Sequence, residues 1–487
     1  MAVKRSRLVR RILGLVLILT IGAGLAYVYF ALPIGTGYTA KYLCSSVFLI
    51  GRGEAETVEE DIRPGSVLFT LISSSVDRQN RTVTARALGL FHERSAVYRP
   101  DLGCTLAIET DIRTLREQAP TVAAGFAGDR DSPWPRGDAV DVSGLPPEVE
   151  RHALNGALEY AFAEPEGGRR QTRAVVVVHR GRIVAERYAE GIGPATPLLG
   201  WSMAKTVVGV LTGMMVEEGL LELHQPVPLP LWQTEDDPRG TITINDMLQM
   251  SSGLDFSEVY GPFADATDML YGSRSMAGFA ANKRLRHEPG SVFQYSSGTT
   301  NILMKVLQER TGGDTASMHR YITDRLYRPL GLTTAVFEPD ASGVPVGSSY
   351  LYASARDWAR IGLFMLNDGV VDGLRLLPAG WIAYMTTPAP DSRGTYGAHV
   401  WLNAADPKEA LPGDRVYESL PRSMYYMRGH NAQMVAVLPD HDVVVVRLGV
   451  THREDDWDKE MFLAMVLESF GASVGGAADP FTRSAAR

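Results

Sequence analysis

A serine and a lysine three residues apart, Ser202 and Lys205, have the types and spacing that indicate chemistry most directly. They stand at the start of an apolar stretch that runs to residue 219, and on a helix their hydroxyl and amine would share one face. An amine in an apolar wall gives up its charge more easily than in water and can then accept the hydroxyl proton. A helix start adds N–H groups without intrahelical acceptors and a positive end that favours an alkoxide. The plainer alternative is a serine that caps the helix beside a lysine on its surface.

Tyr295 is the second candidate, placed two residues before Ser297 and ahead of a helical pattern that begins at Asn301. A loop tyrosine can pass a proton between a nucleophile, a lysine and a leaving group when a nearby cation makes its phenol more acidic. Taken alone, this residue is more often an ordinary half-buried tyrosine.

The third candidate is the segment 428–433, Arg-Gly-His-Asn-Ala-Gln, which leads into a predicted hairpin near the C-terminus. A strand edge beside the nucleophile could donate one backbone N–H to an oxyanion, while Arg428 or His430 faces the substrate. Otherwise the segment is only the start of a strand with a solvated histidine.

The order of these three motifs resembles the superfamily of serine β-lactamases and penicillin-binding proteins, in its class C and esterase branch. Ser202-x-x-Lys205 matches the first motif, and Tyr295-x-Ser297 matches Tyr-x-Asn or Tyr-x-Ser. His430-x-Ala432 stands where Lys-Thr-Gly or His-x-Gly is usual. The resemblance covers roughly residues 173–450 and is greatest to the 6-aminohexanoate-dimer hydrolases and the related family VIII-type carboxylesterases.

This resemblance implies an acyl-enzyme on Ser202, with Lys205 as base and Tyr295 as proton relay, that acts on a small ester or amide without a cofactor. It implies an oxyanion hole from the N–H groups of Ser202 and Gln433. The residues that it places around the substrate are His430, Ser297, Gln433 and Tyr425. The sequence departs from the family motifs at two positions, with Ser297 where Asn is usual and Ala432 where Gly is usual. These two differences argue against efficient β-lactam hydrolysis.

Two other functions are consistent with the same residues. Gly200-Trp201-Ser202-Met203-Ala204 is one residue away from the Gly-x-Ser-x-Gly elbow of α/β-hydrolases, in which His430 or His452 would be the base. The elbow needs a strand directly before the serine, and the proline-containing segment 194–197 is a poor strand. The other alternative is a catalytically inactive binding protein that only recognises penicillin-like ligands.

Composition excludes other classes of function. The chain of 487 residues has 48 basic and 56 acidic side chains, a formal charge of −8, and no basic run outside the N-terminus, so we expect no nucleic-acid partner. It has no His-Glu-x-x-His pattern and no glycine-rich phosphate loop, so we expect neither a metal nor a nucleotide.

The hydrophobic patterns predict the fold class. Two hairpins are expected at 174–188 and 433–450, and helices at 148–164, 203–218, 301–311, 355–367, 378–385 and 455–470. Strands at both ends with helices between them predict an α/β (α+β) fold, in which an antiparallel sheet from both chain ends is flanked by helices and carries a mostly helical insertion.

The N-terminus predicts a membrane anchor. Five basic residues within 1–11 precede an apolar run at 12–32, which is closed by Pro33 and as a helix would span roughly 30 Å, the thickness of the hydrocarbon core. The cations would hold segment 1–11 in the cytoplasm, so the rest of the chain would be exported to the periplasm or the outside. Cleavage near residues 24–26, which would release a soluble protein, is the alternative.

The remaining boundaries follow from composition. We expect a small β-rich region at 33–124 with strands at 67–72 and 82–91, a linker at 125–147, the hydrolase domain at 148–470 and a flexible tail at 471–487. Cys44 and Cys104 both fall on the exported side, where an oxidising compartment permits a disulfide, although two separate buried thiols are the alternative.

Overall fold

The computed structural model describes residues 2–118, 128, 131–141, 146–406, 408 and 416–472, with side chains from residue 11 onward. The helices are α1 Ala2–Ser45, α2 Glu54–Thr57, α3 Ile112–Glu117, α4 Arg151–Phe162, α5 Met203–Glu217, α6 Ile244–Leu248, α7 Asp265–Gly272, α8 Met276–Ala281, α9 Ser297–Arg310, α10 Thr315–Ile322, α11 Arg328–Leu330, α12 Ala355–Leu366, α13 Trp381–Met385 and α14 Lys459–Glu468. The strands are β1 Ile72–Asp77, β2 Thr82–Ala87, β3 Phe91–Arg99, β4 Gly103–Leu106, β5 Thr172–His179, β6 Arg182–Tyr188, β7 Leu198–Leu199, β8 Val336–Phe337, β9 Leu351–Ala353, β10 Val370–Val371, β11 Leu374–Arg375, β12 Trp401–Leu402, β13 Tyr425–Gly429, β14 Gln433–Leu438 and β15 Val443–Gly449.

The chain divides into two compact units. The N-terminal unit comprises Met1–Tyr98, Cys104–Leu115 and Ser257–Arg274, and the main unit comprises Arg99–Gly103, Arg116–Phe256 and Ser275–Arg487. The sequence pattern did not predict that segment 257–274, which contains α7, belongs with the N-terminal residues.

The N-terminal unit contains the antiparallel sheet β1-β2-β3-β4, which matches the small β element expected from the sequence. Two details differ. Val67–Leu71 forms a 3₁₀ helix instead of a strand, with the Ser66 hydroxyl accepting from the Leu68 N–H at its start, and the predicted strand 82–91 is divided by a turn after Ala87. Cys44 and Cys104 are joined by a disulfide within this unit, with their Cα atoms 6.0 Å apart.

Helix α1 has two halves with different surroundings. It continues through Pro33 instead of ending there, and from Ala31 onward most of its side chains are buried or half-buried. Nearly all side chains of residues 12–30 are exposed. By length and composition, the segment Arg11–Ile50 could cross a membrane, with a mean hydropathy of 2.2 in its most apolar window.

The main unit is built on an antiparallel sheet of order β12-β13-β14-β15-β5-β6. Strand β5 comes from the beginning of the hydrolase region and pairs with β15 from its end, so the prediction of a sheet assembled from both chain ends is confirmed. The valine runs of β5 and β15 are buried on both faces, as continuous apolar strands require. Helices α4 and α14 cover one face, and Val435 and Val444 on the other contact α12 at Gly362.

Two predicted boundaries within this unit change. Helix α14 begins at Lys459 and not near residue 455, because residues 454–456 form a 3₁₀ turn and Asp458 caps the helix through the Met461 N–H. In the expected linker, segment 131–141 is docked on α12. The guanidinium of Arg360 donates to the carbonyl oxygens of Pro135 and Gly137. Parts of the two expected segments lie outside the described residues. These are positions 125–127, 129–130 and 142–145 of the linker and all of the tail after residue 472.

Candidate active site

Ser202 lies at the N-terminus of α5, directly before its first turn. Its side chain makes no capping hydrogen bond, and its Oγ is 3.0 Å from Nζ of Lys205. Lys205 is only 1% exposed. The plainer alternative, a capping serine beside a surface lysine, is therefore wrong.

The backbone before Ser202 holds the nucleophile in a tightly packed turn. Gly200 donates its N–H to the Leu351 carbonyl, and a Cβ at this position would lie 2.2 Å from the Trp358 ring, so only glycine fits. Trp201 has a positive φ of 49°, which is unfavourable for a bulky residue. Such strain is retained only where the surrounding structure enforces it, which is common at reactive sites.

The amine of Lys205 contacts three oxygen atoms at 3.0 Å, namely Ser202 Oγ, Ser297 Oγ and the backbone carbonyl of Ser348. Among the residues that the structure describes, no carboxylate pairs with this amine. A neutral amine has two N–H donors and one lone pair. It can donate to the Ser348 carbonyl and to Ser297 while its lone pair accepts the proton of Ser202.

Ser348 is held in place by Asn301. The Ser348 N–H donates to Oδ1 of Asn301 at 3.0 Å, and the two residues are 1% exposed or less. Sequence reasoning missed Ser348, because it contributes a backbone carbonyl, which any residue type could supply.

Tyr295 lies directly before Ser296, the N-cap of α9, whose hydroxyl accepts from the Thr299 N–H. This cap starts the helix at Ser297, four residues before the predicted Asn301. Nζ of Lys205 is 4.8 Å from the centre of the Tyr295 ring, so the two side chains meet through the ring face. Within the described residues, no hydrogen bond joins the half-buried phenol to Ser202 or Lys205.

An aromatic wall continues from Tyr295 along the sheet edge. The Trp401 ring is 5.2 Å and the Tyr396 ring 5.7 Å from that of Tyr295. The guanidinium of Arg428 lies 5.7 Å from the Trp401 ring and pairs with Glu454 at 2.5 Å. The site therefore combines apolar rings with one partly neutralised cation.

The two expected oxyanion donors lie on segments that touch. A Cβ at Gly429 would be 2.1 Å from the Gly200 carbonyl, so the end of β13 rests against the turn that precedes Ser202. Gln433 begins the next strand, β14, and is the register partner of Gly429. The Ser202 N–H has no acceptor among the described residues, which leaves it free to donate to an oxyanion.

Arg447 fixes the turn between these strands and was not found from the sequence. Its Nη1 donates to the carbonyls of Asn431 at 3.3 Å and Ala432 at 3.2 Å, two residues with positive φ directly before Gln433. The remaining donors reach Thr172, Thr451 and the Arg170 carbonyl, and no described carboxylate pairs with it. Burial lowers the pKa of this guanidinium to about 9, so it remains charged at neutral pH.

The family model for β-lactamases matches residues 158–461, which is more than half of the chain. The protein belongs to the β-lactamase family. Members of this family are serine hydrolases that act on esters or amides, and the resemblance expected from the three motifs is confirmed.

Individual relatives of this β-lactamase-family protein are distant. A 6-aminohexanoate-dimer hydrolase of Paenarthrobacter ureafaciens is 26% identical over 225 residues, which are 43% of this chain and 56% of the relative. The chain thus spans a little more than half the length of this curated relative.

Two solved structures share the fold. A putative 6-aminohexanoate-dimer hydrolase from Bacillus anthracis superposes with a TM-score of 0.50 at 21% identity, covering 62% of this chain and 78% of that one. The hydrolase EstCE1, described as having promiscuous acyltransferase activity, gives 0.51 at 17% identity, covering 66% and 98%.

The elbow of an α/β-hydrolase does not fit this β-lactamase-family fold. Ser202 follows the two-residue strand β7, which pairs antiparallel with β9 outside the main sheet. His430, the base expected in that alternative, lies on the surface with its ring centre 5.5 Å from that of Trp201 in an edge-on contact. Lys205 is the base candidate that contacts Ser202.

Two residues expected around the substrate are buried in this family member. Ser297 is fully buried and hydrogen-bonds to Lys205, so its position indicates a role in holding the amine. Tyr425 is buried four residues before Gly429 on β13, where burial, with Asp368 adding to the effect, raises its pKa. The expected place of Tyr425 beside the substrate stays a prediction.

The sequence analysis missed His399, a buried histidine in the main unit. Its Nδ1 donates to the Leu248 carbonyl at 2.8 Å, so Nε2 is the acceptor for the Thr300 hydroxyl at 3.0 Å. Burial lowers the pKa of His399 to about 4. The imidazole therefore stays neutral at physiological pH and links α9 to the segment before β12.

Proposed function

We propose that the protein is a membrane-anchored, exported serine hydrolase that cleaves an ester or amide through an acyl-enzyme on Ser202. The observation that carries this proposal is the 3.0 Å contact between Ser202 Oγ and the amine of Lys205, which is buried and pairs with no carboxylate among the described residues. A covalent serine divides one difficult acyl transfer into two easier steps.

In the first step, neutral Lys205 accepts the hydroxyl proton while Oγ of Ser202 attacks the substrate carbonyl. The resulting oxyanion accepts hydrogen bonds from the N–H groups of Ser202 and Gln433. The C–O or C–N bond then breaks, and the leaving group takes the proton from Lys205 directly or through the phenol of Tyr295. In the second step, a water molecule gives a proton to Lys205 and its oxygen attacks the acyl carbonyl. The bond between the acyl group and Oγ then breaks, Lys205 returns the proton to Oγ of Ser202, and the acid leaves.

The substrate class remains an ester or amide, with a linear amide or a carboxylic ester favoured over a β-lactam. The 6-aminohexanoate-dimer hydrolase among the relatives supports the first, and EstCE1 shows that the fold also accommodates a hydrolase with acyltransferase activity. Trp401, half-buried beside Tyr295, offers an apolar surface for the acyl chain or leaving group.

Two features support anchoring and export. The exposed apolar half of α1 follows five basic residues, which favour a cytoplasmic N-terminus. The disulfide between Cys44 and Cys104 lies after this half, and such bonds persist mainly in oxidising compartments.

The test is labelling of the full-length protein in detergent with a fluorophosphonate, followed by peptide mass mapping and turnover of p-nitrophenyl esters, nitrocefin and 6-aminohexanoate dimer. We expect label on Ser202 and turnover of an ester or of the dimer. Ser202→Ala should abolish both, whereas Ser291→Ala, a substitution at an exposed loop serine, should change neither.

Lys205→Ala separates this mechanism from the alternatives. General-base catalysis typically contributes about 10²- to 10⁴-fold, so we expect a loss of that size. Lys305→Ala, on the partly exposed side of α9, is the matched control. Full ester hydrolysis by Lys205→Ala would rule out the lysine mechanism, and Ser202 labelling without turnover of any substrate would favour the binding-protein alternative.

A further inference from the structure

Two loops of the N-terminal unit expose large apolar side chains next to α1. The turn between β2 and β3 presents Leu88, Leu90 and Phe91, and the loop before α7 presents Val259, Tyr260 and Phe263. These six side chains, here called the apolar tips, are between 54% and 79% exposed. Isolated exposed apolar residues are ordinary, but clusters on adjoining loops indicate a binding surface.

Both loops reach α1 at the same level. The ring centre of Phe263 lies 5.6 Å from Phe30 and 6.2 Å from Tyr27. From the other loop, His92, which follows Phe91, lies 4.6 Å from Tyr29. Residues 27–30 are also where α1 changes from its exposed half to its buried half.

This level coincides with the edge of a bilayer. Residues 12–30 would span about 28 Å at 1.5 Å per residue, close to the hydrocarbon thickness of about 30 Å. Phe30 would then lie at the boundary, and Tyr27 about 5 Å inside it. Tyrosine side chains are enriched at this depth, where a ring can be apolar on one side and wet on the other.

The backbone of the tips is strained in a way that favours their exposure. Leu88 has a φ of 50° and Phe263 a φ of 63°, values that suit glycine or asparagine better than bulky apolar residues. In the folded unit these two side chains gain little burial in return. A surface that buries them would account for apolar residues at such positions.

We propose that the apolar tips insert into the lipid bilayer that α1 crosses, so that the N-terminal unit is held against the membrane at three points. The inference rests on the proposed membrane anchoring and adds a lipid-binding surface to it. The apolar tips would contact lipid at the boundary between acyl chains and headgroups, in the leaflet from which α1 emerges. This follows because both loops contact α1 at residues 27–30, where it would leave the bilayer.

The test uses full-length protein in phosphatidylcholine/phosphatidylglycerol nanodiscs, with one environment-sensitive fluorophore per molecule on an introduced cysteine. The probes are placed by Leu90→Cys and Tyr260→Cys at the tips, and by Tyr27→Cys within α1. Asn80→Cys, in the exposed turn at the opposite end of β2, is the matched control. We expect blue-shifted emission and strong quenching by spin-labelled lipid at positions 90, 260 and 27, and neither at position 80.

The outcomes separate the two proposals. Absence of lipid quenching at position 27 would overturn the membrane anchoring itself. Quenching at position 27 with a water-exposed signal at positions 90 and 260 would leave the anchor intact and overturn the insertion of the tips. Shielding of positions 90 and 260 without lipid quenching, together with cross-linking between two copies, would place the apolar tips in a homodimer interface. That result would also overturn the insertion of the tips into lipid.

Discussion

The backbone carbonyl of Ser348 lies 3.0 Å from Nζ of Lys205, on a loop that is remote in sequence from the Ser-x-x-Lys motif. A carbonyl oxygen can only accept, so this contact commits one N–H of the amine. With Ser297 as acceptor of the second, a neutral Lys205 is left with its lone pair directed to Ser202. The amine is thus oriented by the Ser348 carbonyl and the Ser297 hydroxyl.

Asn301 is expected to act on catalysis through Ser348. In Asn301→Ala the Ser348 N–H loses its acceptor, which costs about 1 to 3 kcal/mol for a buried group, and the carbonyl loses its fixed position. We expect kcat to fall about tenfold with little change in KM, measured with the ester substrate. Asn301→Asp keeps an acceptor but adds negative charge near the amine, so the acid limb of the kcat/KM profile should move to higher pH. An unchanged profile in a folded Asp variant would contradict this role, and Asn282→Ala serves as the surface control.

Arg447 is expected to position the oxyanion donor of Gln433. Arg447→Lys cannot hold both carbonyls of the turn together with Thr172 and Thr451, so the Gln433 N–H should lose its alignment. Loss of one oxyanion donor costs about 10²- to 10³-fold in kcat, and partial misalignment should cost about 10- to 100-fold. Binding of a boronate transition-state analogue should weaken in proportion, while KM changes little. Arg187→Lys on β6 is the control, and wild-type kcat in a folded Arg447→Lys protein would disprove the assignment.

His399 makes stability depend on pH. Its folded pKa of about 4 lies below the unfolded value of about 6.5, so the unfolded chain takes up a proton first as the pH falls. The neutral His399 side chain therefore contributes up to about 3 kcal/mol to the free energy of unfolding. This contribution is fully present above about pH 6.5 and is lost progressively as the pH falls to about 4.

Asparagine at position 399 tolerates the positive φ of 59° and does not titrate. In urea unfolding at pH 7 and pH 4.5, His399→Asn should therefore show a smaller difference in unfolding free energy than the wild type. An equal difference in both proteins would show that other groups cause the acid sensitivity.

The disulfide is expected to stabilise the N-terminal unit. Cys44 and Cys104 are 60 residues apart, and closing a loop of this length is worth about 4 kcal/mol in the chain-entropy model. The double variant Cys44→Ser/Cys104→Ser should lose stability of that order in denaturant unfolding. Peptide mapping without reduction should find the two cysteines linked, and alkylation of both in unreduced protein would refute the bond.

The proximity of Ser202, Lys205 and Tyr295 could be predicted from the sequence because each side chain stands in a short motif. The hairpins were predictable because their valine runs are continuous and their turns short. Ser348 and the turn held by Arg447 were not, since a backbone carbonyl and an arginine from another strand leave no local signal. Val67–Leu71 was misread because an apolar run of five residues fits a strand and a 3₁₀ helix equally well.

Segment 257–274 shows a limit of reasoning from the sequence, because no composition change marks its place in the N-terminal unit.

The assignment of segment 257–274 has a practical consequence for preparing the protein without the exposed half of α1. The ring of Tyr271 on α7 packs edge-on against Tyr38, 5.6 Å away, and both belong to the N-terminal unit. A truncated protein that starts at the hydrolase domain would lack Tyr38, the aromatic partner of Tyr271 on α7. Segment 257–274 would then expose apolar side chains in the middle of the remaining fragment. Deleting only the first thirty residues keeps that pair together and is the better route to crystals and to solution assays.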